Sequence, residues 1–266
     1  MSITGTTTIL GLIADPVARA RSPAMANALL ERWGLDGAWI LVPMHVAANG
    51  LVDCVAALRH LRNFGGAIVS MPHKTAIVEL LDELTPDARL VGAVNVIRRH
   101  ADGRLAGTIL DGEGFVGGLL REGHRVAGAH CLLAGAGGAA SAVAFALARH
   151  GCATLCIVNR TRAKADELAV RVGRAFPAVR VTTDETSTDR IDIAVNGTSL
   201  GMQPDDALPL SESAIARSAL VAECVVAPER TRLLEAARQR GAAVHTGVPM
   251  LEAQLEMLLR FMGVNA

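Results

Sequence analysis

Short apolar runs alternate with stretches whose apolar positions recur every three or four residues, and the alternation covers nearly the whole chain. Runs of the first kind suit buried strands and stretches of the second kind suit amphipathic helices, so the pattern predicts an α/β architecture. Residues 8–14 predict a first strand, stopped by Asp15-Pro16. Ser22-Pro23 then opens a helix, with serine suited to the cap and proline to the first turn. A strand over 38–42, a helix over 46–61 and a strand over 66–71 follow. Residues 91–98 and 105–110 read as a hairpin around Ala101-Asp102-Gly103.

A second unit begins near Asp111. Helices are expected over 113–121, 138–150, 162–174, 231–240 and 250–262. Strands are expected over 130–134, 153–158, 179–182, 191–195 and 220–226. Gly241 closes the helix before it. Leu251, Leu255, Leu258, Leu259 and Met262 follow three-and-four spacing, which gives the last helix one buried face. The chain shows no internal repeat and no low-complexity segment.

A length of 266 residues fits about two domains. The 26 basic and 26 acidic residues balance, which argues against nucleic acid or a membrane surface as a partner. No apolar run reaches the ~18 residues that cross a bilayer. The N-terminal stretch lacks the basic and long apolar regions of a secretory signal. The five cysteines are odd in number and scattered, as expected of reduced thiols in a cytoplasmic protein. Cys152 and Cys156 are expected on one face of a strand, and without His or Cys partners at metal-like spacing they read as packing groups, so no metal is expected. The chain has no tyrosine, which excludes tyrosine acid catalysis within it.

Residues 131–140, Cys-Leu-Leu-Ala-Gly-Ala-Gly-Gly-Ala-Ala, hold the most informative local pattern. It is G-x-G-x-x-A between a predicted strand and a predicted helix. Gly135 permits the tight turn, Gly137 lets a pyrophosphate approach the backbone, and Ala140 permits close helix–strand packing. The helix N-terminus offers N–H groups and a positive dipole end to phosphates. After the next strand comes Val158-Asn159-Arg160-Thr161, where dinucleotide-binding proteins commonly place an acid for the ribose 2′-hydroxyl. A carboxylate there would repel a 2′-phosphate, whereas Arg160 can grip one, with Arg162 and Lys164 close behind. NADP is therefore expected over NAD.

Two further groups stand at predicted strand ends, where α/β enzymes place their chemistry. Lys74 follows Ser70-Met71-Pro72-His73, and Asp111 follows Thr108-Ile109-Leu110. A lysine beside a carboxylate can exchange a proton with a substrate hydroxyl during hydride transfer.

Taken in order, these motifs resemble the shikimate dehydrogenase family across nearly the full chain. The residues that carry the resemblance are Ser22-Pro23, Ser70-Met71-Pro72-His73-Lys74, Gly92-Ala93-Val94-Asn95, Asp111-Gly112, the 135–139 turn, Asn159-Arg160-Thr161, residues 196–202 (Asn-Gly-Thr-Ser-Leu-Gly-Met) and Gln254. The resemblance implies Lys74 and Asp111 as the catalytic pair. Ser22, Ser70, Asn95 and Gln254 would hold the substrate's carboxylate and hydroxyls. Gly135, Ala136, Gly137, Gly138 and Ala139 would bind the pyrophosphate. Asn159, Arg160 and Thr161, followed by Lys164, would bind the adenosine 2′-phosphate. Thr198, Ser199 and Met202 would lie near the cofactor, with Gly247 beside the nicotinamide. The implied fold is a substrate domain (1–109 plus 248–266) and a Rossmann-type doubly wound NADP domain (110–247) with a cleft between them. The implied activity is that of an oxidoreductase acting on a cyclic hydroxy acid or keto acid in aromatic amino acid biosynthesis, as a monomer or homodimer.

Departures from the family pattern bear on substrate choice. Ala20 replaces one serine of the early motif, Ile68 an asparagine, and Ile109 and Leu110 two polar residues before Asp111. Glu223-Cys224-Val225-Val226 stands where the family carries a tyrosine. Each change removes a hydrogen-bond partner for a polyhydroxylated ligand, and an unpaired buried hydroxyl costs ~1–3 kcal/mol. Shikimate is therefore expected to be a poor substrate, and a smaller or less hydroxylated acid a better one. Arg21 is a candidate replacement carboxylate anchor. Alternative readings are a quinate- or aminoshikimate-type dehydrogenase and a catalytically silent metabolite or NADP sensor.

Overall fold

The computed structural model describes residues 2–187 and 190–265. The chain divides into two compact units, Met1–Leu110 with Leu255–Ala266, and Asp111–Gln254.

The first unit contains β1 (Thr8–Ala14), α1 (Ser22–Arg32), β2 (Trp39–His45), α2 (Leu51–His60), β3 (Phe64–Val69), α3 (His73–Ala76), β4 (Glu83–Leu84), α4 (Pro86–Val91), β5 (Val96–Arg99) and β6 (Leu105–Thr108). Its sheet runs β2-β1-β3-β5-β6-β4. β1 pairs in parallel with β2 and β3, and β5 runs antiparallel to β3 and β6. β1 and β3 are continuous apolar runs because both faces of these strands are covered. Leu10, Leu12, Leu30, Leu41, Leu258 and Leu259 make the core on one face, so the last helix supplies part of it.

Four local expectations are corrected. Ser22 is the first residue of α1, not its cap; Arg21 holds the N-cap position and no side chain caps the helix. The helix expected over 46–61 opens on two irregular residues after β2, passes through a short 3-10 turn at Ala48–Gly50, and is α-helical only over Leu51–His60. Val91 ends α4, capped by Thr85, whose hydroxyl accepts from the Ala88 N–H, and the hairpin strand starts only at Val96. Cys152 lies outside the strand that holds Cys156, and its thiol hydrogen-bonds to that of Cys131.

The second unit contains α5 (Asp111–Arg121), β7 (His130–Ala134), α6 (Gly138–Arg149), β8 (Thr154–Val158), α7 (Arg162–Ala175), β9 (Arg180–Thr182), β10 (Ile191–Asn196), α8 (Glu212–Ala216), β11 (Ser218–Glu223), α9 (Arg232–Gln239), β12 (Ala243–His245) and the start of α10 (Val248–Phe261). The sheet order is β12-β11-β10-β7-β8-β9, with every pairing parallel. The chain winds one way from β7 through β8 to β9, then reverses to β10, β11 and β12. This doubly wound order puts a crevice beyond the carboxyl ends of β7 and β10, where the winding changes direction. Helix α5 is closely packed through its glycines. A Cβ on Gly112 would collide with the Ala142 carbonyl of α6, one on Gly114 would lie 2.8 Å from the Met250 carbonyl oxygen, and one on Gly118 would lie 2.9 Å from the Pro249 carbonyl carbon.

Candidate active site

β7 ends at Ala134 and α6 begins at Gly138, so residues 135–137 form the turn at the switch point. Gly135 has φ +118°, a conformation that L side chains rarely adopt, and a Cβ there would lie 3.0 Å from the Gly197 backbone. Ala140 is fully buried, and a Cβ on Gly197 would stand 2.8 Å from its methyl, so the small residue at 140 serves packing. Gly137 is different. It is exposed, its φ is −85°, and a Cβ added to it would meet nothing within 4 Å. No protein packing demands glycine there, and the open space over the backbone fits a pyrophosphate. Gly137 is also the N-cap of α6 and offers no side-chain cap, so the first-turn N–H groups of α6 are left for a ligand. Ala136, Gly138 and Ala139 are half-buried around the same turn.

Beyond β8, Asn159 donates from Nδ2 to the Thr161 carbonyl at 2.9 Å and shapes the turn. Arg162 is exposed but tied to its neighbours: its guanidinium donates to Asp166 at 3.0 Å and to the Thr183 hydroxyl at 2.8 Å. Arg160 and Lys164 are exposed, and among the described residues neither side chain has a hydrogen-bond or ion-pair partner. The three cations therefore divide into one structural arginine and two side chains at the disposal of a ligand.

β10 ends at Asn196, which is fully buried, and its amide orders the following loop. Oδ1 accepts from the Thr198 N–H at 3.0 Å and from the Thr198 hydroxyl at 2.7 Å. Nδ2 donates to the Leu200 carbonyl at 2.8 Å and to Glu223 Oε2 at 2.9 Å. Glu223 faces Asn196 in the parallel register of β10 and β11 and is itself fully buried. Its Oε1 accepts from the Thr231 hydroxyl at 2.7 Å, the N-cap of α9. Burial pushes the Glu223 carboxyl up to about 7, against the opposing hydrogen bonds from Thr231, Asn196 and the Val225 N–H. This network fixes Thr198 and Met202 as half-buried groups and leaves Ser199 exposed. Gly247 is buried, and a Cβ on it would collide with the Val225 carbonyl, so its small size serves a backbone crossing. Asn196 stood inside a recognised motif without a role, and Glu223 registered only as the replacement for a missing tyrosine. Their coupling comes from strand register, which single-sequence reading does not give.

In the first unit the polar candidates gather at strand ends. The Val69 N–H donates to the Asn95 carbonyl at 2.7 Å, the Ser70 N–H to the Ile13 carbonyl at 2.9 Å, and the Val94 N–H to the Lys74 carbonyl at 2.8 Å. Ser70, Lys74 and Asn95 thus share the carboxyl end of β3. The buried Asn95 also accepts at Oδ1 from the Leu110 N–H at 2.8 Å, fixing the backbone one residue before Asp111. Ser22 is half-buried at the head of α1, and Arg21 before it is exposed. His73 is buried, and its Nε2 pairs with the Val46 carbonyl at 2.7 Å, a structural role. Ile68 and Ile109 are each 5% exposed, and Ile68 belongs to the apolar core. In the second unit Asp111 is buried as the first residue of α5, and Gln254 of α10 is buried against Gly114 of α5.

No helix among the described residues is long and apolar enough to cross a membrane. Residues 12–97 match the model of a shikimate dehydrogenase substrate binding domain, and residues 120–202 that of shikimate / quinate 5-dehydrogenase. A Geobacter metallireducens protein named shikimate dehydrogenase (NADP(+)) is 43% identical over 97% of this chain and 92% of its own. Among solved structures, the shikimate 5-dehydrogenase of Listeria monocytogenes, in complex with shikimate and NAD, superposes with a TM-score of 0.83 at 32% identity, covering 98% of this chain and 93% of that one. The 5-ketofructose reductase of a Gluconobacter strain superposes with a TM-score of 0.81 at 31% identity, covering 98% and 94%. With both domain models matched in order and such identity along almost all its length, the chain belongs to the shikimate dehydrogenase family.

Proposed function

We propose that this protein interconverts the alcohol and ketone forms of a cyclic hydroxy acid of the shikimate type, using NADP(H). The observation that carries this reading is the exposed, unfilled glycine turn at the head of α6, with the cations Arg160 and Lys164 beyond the next strand unpartnered among the described residues. NADP(H) supplies or accepts the hydride when bound. The turn of residues 135–139 receives the pyrophosphate on N–H groups. Arg160 and Lys164 neutralise the 2′-phosphate, and Asn159 and Thr161 set the turn that presents Arg160. The ordered 196–202 loop brings Thr198, Ser199 and Met202 alongside the cofactor, and Gly247 lets the chain pass close to it.

Lys74 and Asp111 exchange a proton with the substrate oxygen. When the alcohol is oxidised, the hydroxyl proton leaves to this pair as the hydride leaves the carbon; reduction returns both. Support comes from the backbone that carries them: Val94 binds the carbonyl of Lys74, and the next residue, Asn95, binds the N–H that precedes Asp111. Ser22, Ser70, Asn95 and Gln254 provide the hydroxyls and amides for the substrate's carboxylate and ring hydroxyls. Ile68 and Ile109 put hydrocarbon where the family pattern has amides, so the preferred acid carries fewer hydroxyls than shikimate.

The test is a panel of cyclic hydroxy acids and keto acids with NADP(H), read at the nicotinamide absorbance, for the wild type and Lys74→Ala. Loss of ~10²–10⁴ in kcat with NADPH affinity retained is expected. Wild-type protein that binds NADPH but turns over no member of the panel would make it a sensor and overturn the reading.

A further inference from the structure

We propose that Glu122, His124 and His245 bind a divalent transition-metal ion of the zinc class, which ties the end of β12 to the end of α5. The site lies wholly within the second unit and away from the glycine turn in the chain.

The local fold brings the three together. Helix α5 stops at Arg121, and Gly123 takes φ +82°, which turns the chain so that the His124 N–H closes onto the Leu119 carbonyl at 2.9 Å. Glu122 and His124 flank this glycine, and His245 is the last residue of β12. One ligand atom from each of the three lies within 4.8 Å of the other two. Glu122 Oε2 is 2.6 Å from His245 Nδ1 and 3.9 Å from His124 Nε2.

Zinc takes nitrogen and oxygen ligands at ~2.0–2.2 Å, which sets them roughly 3.2–3.5 Å apart in a tetrahedron. The Glu122–His124 separation needs only a small contraction. The Glu122–His245 separation must open by under ~1 Å as the ion replaces the shared proton. Glu122 has room to move, because its side chain is 44% exposed.

The burial gradient has the form of a site with a mouth. The His245 side chain is 0% exposed, His124 28% and Glu122 44%, so the base is dry and the rim reaches water. Three protein ligands leave one position for a water molecule. His245 is held in place by edge contacts with the Phe115 ring at 6.1 Å and the His124 ring at 5.9 Å. Two imidazoles and one carboxylate favour zinc, cobalt, nickel or copper over calcium or magnesium, which take all-oxygen sets. The two histidines come from distant stretches of chain, so no metal-like spacing marks them in the sequence.

The experiment uses untagged, chelator-treated full-length protein titrated with Co²⁺ by visible absorption and with Zn²⁺ by calorimetry. One ion per chain with Kd well below ~100 μM is expected, and Tm rises by roughly 5–10 °C at a hundredfold excess over Kd. His124→Gln and Glu122→Gln, both at partly exposed positions, are expected to fold normally by far-UV circular dichroism. Each should weaken binding by at least ~100-fold and remove most of the Tm shift at the same metal concentration. No saturable binding below ~100 μM, or equal affinity in folded His124→Gln, overturns the proposal.

Discussion

Replacing Glu223 by Gln gives the sharpest test of the buried network beneath the 196–202 loop. Glu223 is fully buried and its carboxyl is pushed up to about 7 from an ordinary 4.5. The folded state therefore holds the proton more tightly than the unfolded chain. The associated stability is fully present below pH 4.5 and is lost as pH rises through about 7. A rise from 4.5 to about 7 corresponds to ~3 kcal/mol at alkaline pH. Glutamine matches the neutral acid. Its oxygen can accept from Asn196 Nδ2 and the Val225 N–H, and its NH₂ can donate to the Thr231 hydroxyl, so the hydrogen bonds survive without the charge. Relative to wild type, Glu223→Gln should gain ~3 kcal/mol of unfolding free energy between pH 4.5 and pH 8.5, most of it between pH 4.5 and about 7. Urea unfolding followed by far-UV circular dichroism measures this; tryptophan fluorescence does not serve, since Trp33 and Trp39 both lie in the other unit. Stability curves for the two proteins that stay parallel across the range would refute the reasoning.

The glycine turn offers a paired contrast. Gly137→Ala meets no atom within 4 Å and keeps an ordinary φ, so it should leave Tm unchanged while raising the KM for NADPH at least tenfold; Gly135→Ala, at φ +118°, should lower Tm itself. Arg160→Ala should raise the KM for NADPH by ~10–100-fold and leave that for NADH unchanged, and equal losses for both cofactors would remove Arg160 from the 2′-phosphate. Shikimate should be turned over at least ~10-fold less efficiently than an analogue lacking one ring hydroxyl, and a low-micromolar KM for shikimate with fast turnover would contradict the hydrocarbon reading of Ile68 and Ile109.

Legibility in the sequence followed the length of each signal. β7 has the expected bounds because an apolar run is delimited by His130 and the glycine turn. The glycine turn between β7 and α6 was legible because strand, glycines and helix succeed one another within ten residues. α4 was missed because it is only six residues long, and its last residue, Val91, reads as the start of a strand; only Thr85-Pro86 announces it. β12 was missed because three residues, Ala243–His245, carry no period, and their strand character comes from pairing with β11. Of the polar candidates, Lys74 and Asp111 were legible as strand-end groups, whereas Ser70 and Asn95 stood out only through the family resemblance. The Asn196–Glu223 contact required the parallel register, and the Glu122–His124–His245 cluster required tertiary folding.

Helix α5 carries Gly112, Gly114, Gly117 and Gly118 among its eleven residues, an intrinsic penalty of ~4 kcal/mol relative to alanine. Excised as a peptide it would be a coil. Its helical form is lent to it by α6 and α10, which occupy the space its missing side chains leave. Its amides should therefore exchange with solvent only in openings that also release those two neighbours, and any ligand that tightens α6 will slow deuterium uptake in a segment it never touches.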